Sequence, residues 1–149
     1  MNRSAGRVLV LAWLMTIVAL PVAARDTTIH LPLAAIETMP QARGKLDGSV
    51  KFFLAGQTTP TVVERLNTLV ANRKTNGFGT SDQDGCRWAA LSALIALQDK
   101  AKAQGANAVV DIVSYYKKNE VKSSTDYECH AGAVVVGVAL KGTLAKIAP

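Results

Sequence analysis

Residues 81–105 read SDQDGCRWAALSALIALQDKAKAQG, and this stretch decides the fold. Ser81 or Asp82 can cap a helix, and Asp84 follows Ser81 by three residues in a capping-box-like arrangement. The spacing predicts one long helix from about Asp84 to Gln104. Trp88, Leu91 and Ile95 mark one apolar stripe, and Ala90, Leu94, Leu97 and Ala101 broaden it. Lys100 and Lys102 fall in the last turns, where cations suit the helix dipole. Gly105 is placed to end the helix in the left-handed conformation.

On either side of this helix the pattern changes to that of strands. Downstream, Val109 to Lys117 is rich in Val, Ile and Tyr, and Lys118 to Asp126 is a polar turn region. Tyr127 to Leu140 reads as one long strand that is apolar on both faces, with Val134, Val136 and Val138 on one and Ala133, Val135 and Ala139 on the other. Such a strand belongs inside a sheet covered on each side. Upstream, Ile29, Leu31 and Leu33 alternate with His30 and Pro32 and predict a short edge strand, because Pro32 has no ladder donor. Pro40 can open a short helix through Lys45, and Val50 to Leu54 suits a strand. Gly56 to Pro60 reads as a turn. Val62 to Lys74 suits a strand or a short helix, and residues 75–85 read as a polar loop. The fold class expected is α+β, a mainly antiparallel sheet of about four strands packed on one long helix.

The chain has 149 residues, of which 49% are hydrophobic and 19% charged, values that exclude disorder and a multi-domain enzyme. Its first segment has the parts of a secretory signal. Arg3 and Arg7 precede an uncharged apolar run from Val8 to Leu20, and small residues end at Ala24 before Arg25. As a helix the run spans about 20 Å, short of the ~30 Å hydrocarbon core. Residues 1–24 are therefore expected to be removed between Ala24 and Arg25, leaving residues 25–149 as a single periplasmic domain without a transmembrane segment. Loss of Arg3 and Arg7 lowers the formal charge from +6 to +4, which is ordinary for solubility and gives no reason to expect a nucleic-acid partner.

Cys86 and Cys129 are the only cysteines. In an oxidising compartment an even count points to a disulfide. It would tie the first helical turn to the final strand and close a loop of about 44 residues. A redox-active thiol at the helix N-terminus and a ligand set of Cys86, Cys129 and His130 are the alternatives. Against the ligand set, Cys129 and His130 are strand neighbours and point to opposite faces.

Gly105-Ala-Asn-Ala-Val-Val110 after the helix, followed by the strand from Cys129 to Leu140, resembles the RcsF-like and YbjQ-like domains. The similarity covers about residues 65–141. It implies the α+β fold, a bridge between Cys86 and Cys129, and a role in envelope-stress sensing. A second bridged pair of RcsF falls on Ser114 and Val135 and is absent here, as are its lipidated cysteine and Pro-rich linker. YbjQ-like domains, often described in terms of heavy-metal binding, can assemble as rings, and this implies the alternative of a small metal- or ligand-binding homo-oligomer. Lys74-Thr-Asn-Gly-Phe-Gly79, Ser114 to Asn119 and Glu128 to Ala133 also resemble a group of small exported bacterial proteins commonly labelled excinuclease ATPase subunit. The label conflicts with the residues. A phosphate loop needs Gly-rich sequence followed by Lys and Ser/Thr. Gly77-Phe-Gly79-Thr-Ser has no such Lys, and Gly44-Lys45 is followed by Leu46.

His30 and His130 lack a carboxylate and nucleophile at a recognisable spacing and read as polar-face or core histidines. Ser81, Asp82 and Asp84 lack the ligand alternation of a calcium loop and read as a helix cap. Tyr115, Tyr116, Lys117, Lys118 and Lys122 form the most distinctive surface element, a candidate interaction surface or a solvated hairpin tip. The reading reached is an exported, disulfide-stapled domain, not an enzyme, with no cofactor and no catalytic or metal residues, acting on an envelope protein partner.

Overall fold

The computed structural model describes residues 24–149. The n-region and apolar run of the expected signal lie outside them. The elements are β1 (Thr27–Pro32), α1 (Ala34–Thr38), a 3-10 turn (Pro40–Ala42), β2 (Lys51–Leu54), β3 (Val62–Asn76), α2 (Asp82–Ala103), β4 (Ala108–Ser114), a second 3-10 turn (Tyr116–Lys118), β5 (Asp126–Ala131) and β6 (Val135–Ile147). The architecture is α+β, with a curled six-stranded sheet in place of about four strands.

The sheet is built around β6. One edge of β6 pairs antiparallel with β3 from Val135 to Ile147. The other edge pairs first with β5, His130 opposite Gly137, and then with β4, Ser114 opposite Leu140. β1 extends the sheet beyond β5, Thr27 opposite Ala131, and β2 lies parallel to β4. The expected edge position of β1 and the interior position of the last strand are both observed.

Three sequence expectations are corrected. The stretch Tyr127 to Leu140 is two antiparallel strands, because Gly132 to Val134 turn the chain back and Gly132 donates to the Val135 carbonyl at 2.9 Å. Apolar residues on both sides of the turn hid it. The strand expected over Val109 to Lys117 ends at Ser114, where the chain enters the second 3-10 turn. The ambiguous stretch from Val62 is a strand of 15 residues running to Asn76, so the polar loop shrinks to residues 77–81.

α2 covers one face of the sheet. Ser81 caps it, its Oγ accepting from the Asp84 amide at 3.1 Å and donating to the Asp84 carboxylate at 2.7 Å. Gly105 ends it at φ 70°. The buried face is largely small, with Gly85, Ala89, Ala93 and Ala101, and the helix lies close to β6 along it. Leu91, Leu94 and Leu97 are buried beside them. Trp88 departs from the expected stripe. It is 40% exposed, with Lys45 Nζ 5.2 Å from its ring centre. On the opposite face, Ala108, Val110, Ala145 and Ile147 form a second small cluster with Phe53 and Val62.

Two side-chain amides, the buried Gln98 and the exposed Asn107, lock the connections. Gln98 Nε2 donates to the Lys45 carbonyl at 2.8 Å, and its Oε1 accepts from the Asp47 amide at 3.1 Å. Asn107 uses its side-chain amide as a strand would, accepting from Ile147 N at 2.8 Å and donating to Ile147 O at 3.0 Å. The Gly105 to Val110 motif is thus a stop for α2 followed by a clamp on the end of β6.

Candidate functional site

Along β5, Tyr127, Cys129 and Ala131 are buried, and Asp126, Glu128 and His130 alternate with them as half-buried residues on the opposite face. Cys129 therefore meets α2. Its sulfur is bonded to that of Cys86, with Cα atoms 5.8 Å apart, and no cysteine is free. His130 faces the other way, as strand geometry requires.

On that outer face charged and aromatic groups converge. The His130 ring stacks on Tyr116, with centroids 3.5 Å apart and planes 13° from parallel. His130 Nδ1 is 2.9 Å from Asp26 Oδ1, and Nε2 is 2.7 Å from Glu128 Oε1. His30 stands opposite Glu128 in the β1–β5 register, with Nε2 3.5 Å from Glu128 Oε2. Both histidines of the chain thus meet one carboxylate. Glu128 is further fixed by its amide, which donates to Ser114 Oγ at 2.8 Å. The side-chain bonds of the two histidines run to carboxylates, and among the described residues none runs to a Ser, Thr or Cys side chain.

The residues that follow the expected cleavage point join this face. Arg25 donates to Asp82 at the start of α2 and to the Gly132 carbonyl in the β5–β6 turn, both at 2.8 Å. Asp26 faces His130, and Lys117 Nζ is 3.8 Å from it. Ala24 and Arg25 border a cleft of about 340 Å³ that Asp26, Lys74, Tyr116 and Lys117 also line. Arg25, Lys74 and Lys117 supply cations there against the single acid Asp26.

The expected interaction surface divides. Tyr116 and Lys117 belong to this cleft, with Lys117 Nζ 5.1 Å from the Tyr116 ring centre. Tyr115 turns elsewhere, with Lys141 Nζ 4.8 Å from its ring centre. Lys141 donates to Glu120 at 2.5 Å, and this bond holds the Glu120 carboxyl below its usual range and the Lys141 ammonium above its own. Lys122 lies on that second side, near Glu120, and Lys118 is exposed between the two. Lys117 and Lys118 take φ values of 49° and 66°, the left-handed region that L residues occupy at a cost. That backbone turns Tyr116 onto His130.

The convergence of Asp26, His30, Glu128 and His130 was not legible in the sequence. Glu128-x-His130 signals one strand face, but the partner His30 comes through the β1–β5 register, nearly a hundred residues away. Among the described residues, no group of three or more His, Cys, Asp or Glu side chains is arranged to hold a metal ion, and no helix is long and apolar enough to cross a membrane. No family model matches the chain, and no curated protein matches it.

Proposed function

We propose that the protein is an exported, non-enzymatic interaction domain of the cell envelope, delivered to the periplasm by a cleaved N-terminal signal and engaged in a stress-related role. The observation that carries this reading is the bond between its two cysteines. A disulfide as the sole use of cysteine is at home in an oxidising compartment and rare in a reducing one. The signal-like first segment and the resemblance of residues 65–141 to RcsF-like domains point the same way.

The interaction face of this proposal is the cleft beside Tyr116. Arg25, Lys74 and Lys117 form a cationic rim around an aromatic floor, which suits an acidic segment of a partner. Cross-linking in intact cells followed by co-purification of the tagged protein tests it. The expected result is one envelope protein recovered by the native chain and recovered at least tenfold less by Lys74→Glu/Lys117→Glu. Recovery of no partner, under conditions that preserve a known envelope complex, contradicts the proposal.

A further inference from the structure

β3 is the longest strand of the sheet, and it pairs on one side only. Its neighbour is β6, and no backbone group of residues 63–76 bonds any other element among the described residues. Edge strands of this length are normally interrupted. Here the interruptions sit in the first half, with register shifts between Val62 and Glu64 and between Arg65 and Thr68. From Thr68 to Asn76 the register is unbroken.

The direction of the free backbone groups follows from the pairing. Gly77 continues the register and donates to the Val134 carbonyl at 2.7 Å. Antiparallel pairs alternate between residues that exchange both hydrogen bonds and residues that exchange none. Leu69, Ala71, Arg73 and Thr75 therefore bond β6, and Val70, Asn72 and Lys74 turn N–H and C=O to the open side. The Asn72 carbonyl has recruited the neighbouring Arg73 guanidinium at 3.0 Å, as an outward group without a strand partner would.

Beside this edge runs a groove of about 380 Å³ between β3 and α2. Leu69, Ala71, Ala96 and Leu97 give it an apolar wall, and Arg73 and Lys100 stand along it with the single acid Asp99. Asn67 Nδ2 donates to Gln104 Oε1 at 3.1 Å, where β3 meets the end of α2. On the far face of β3, Val70 is 51% exposed, and Lys74 makes no ion pair among the described residues.

We infer that the outer edge of β3 from Thr68 to Asn76 accepts an extended acidic peptide segment of a partner protein as an added strand. Main-chain hydrogen bonds to Val70, Asn72 and Lys74 hold the segment. Alternate apolar side chains enter the groove against Leu69, Ala96 and Leu97, and the acidic residues between them meet Lys74 on the other face. An unpaired backbone edge lying beside a helix is the arrangement that strand addition requires. The inference rests on reading the protein as an interaction domain, and it adds a second surface, sharing Lys74 with the cleft beside Tyr116, and the chemistry of what binds there.

The test is amide NMR of the oxidised protein titrated with a blocked decapeptide of alternating Val and Glu. A decapeptide of alternating Val and Lys is the control. The expected result is saturable shifts and slowed hydrogen exchange at Val70, Asn72 and Lys74, with the Lys peptide binding at least tenfold more weakly. Asn72→Pro removes an outward donor and leaves the β3–β6 bonds in place, as proline is tolerated on edges. It should weaken binding at least tenfold. Arg73→Glu/Lys74→Glu, which leaves the backbone as it is, should reverse the preference between the peptides. Equal binding of the two peptides, shifts confined to other elements, or undiminished binding by a folded Asn72→Pro variant would overturn the inference. Shifts of the same amides on raising protein concentration alone, with a dimer in native mass spectrometry, would assign the edge to a second copy and overturn it as well. A partner cross-linked equally by the native chain and by Asn72→Pro would leave the interaction reading standing and remove only this site.

Discussion

Gly85 on α2 faces Val136 on β6 so closely that a Cβ at Gly85 would stand 2.9 Å from Val136 Cγ2. The next residue along the helix is Cys86. The absent side chain brings the first turn of α2 down onto the sheet, and that approach delivers Cys86 to Cys129. Gly85→Ala should therefore destabilise the oxidised protein by about 1–3 kcal/mol through overpacking, more than the ~1 kcal/mol that alanine gains over glycine in a helix. Urea unfolding checks it, and adding Val136→Ala should recover most of the loss.

Tyr127 is fully buried on the α2 side of β5, and among the described residues its hydroxyl has no hydrogen-bond partner. Burial raises its pKa well above the usual phenol value, and the nearby Arg87 charge offsets this only in part. Tyr127→Phe removes an unpaired polar atom without changing shape, so a gain of about 1–2 kcal/mol is expected at pH 7. The alkaline limb should change too. A raised folded pKa means that the contribution is complete below about pH 10 and is lost as pH rises through the folded value. Thermal melts of both proteins between pH 7 and pH 11 should show a shallower alkaline decline for Tyr127→Phe.

Asp47 accepts from Lys102 on α2 and, at 3.0 Å, from the Ser49 amide. The Lys102 bond first, and then the bonds from Ser49, hold its carboxyl well below the usual carboxylate range. A depressed folded pKa stabilises above the unfolded value of about 3.9, and the contribution disappears as pH falls through the folded value. Asp47→Asn should lower the neutral plateau slightly and leave stability at the acid end nearly unchanged, so that the acid limb measured below pH 4 becomes flatter. Added salt should shrink the difference, because the pair is exposed.

Lys118 holds φ at 66° with an exposed side chain. Lys118→Gly should stabilise by about 1 kcal/mol, because glycine enters the left-handed region without the steric cost. Chemical denaturation measures it. A loss of stability would mean that the lysine side chain is itself engaged.

The sequence was most legible where a local rule acts alone. The Ser81 cap, the Gly105 stop and the alternation around His30 each depend on neighbours within a few residues, and each marks a real boundary. It was least legible where a long-range partner decides. Val62 to Asn76 carries weak propensity in either direction, and its pairing with the whole of β6 makes it a strand. Gly132 looked like one small residue within a run of valines, yet it begins the turn that separates β5 from β6. Trp88 fitted the stripe by spacing, but small residues such as Ala89 and Ala93 lie nearer the sheet, and the indole is left at the margin. Of the candidate site, the cysteine pair was readable because an even count beside a signal-like first segment points to a bridge. The meeting of His30, Glu128 and His130 required the register.

The central claim is that export comes first and the bridge follows from it. Whole-protein mass spectrometry of the chain isolated from fractionated cells, alkylated before and after reduction, tests this most directly. The account predicts a periplasmic species beginning at Arg25, with no alkylation of the native chain and two alkyl groups after reduction. A cytosolic species of all 149 residues, with both Cys86 and Cys129 alkylated without reduction, would contradict it.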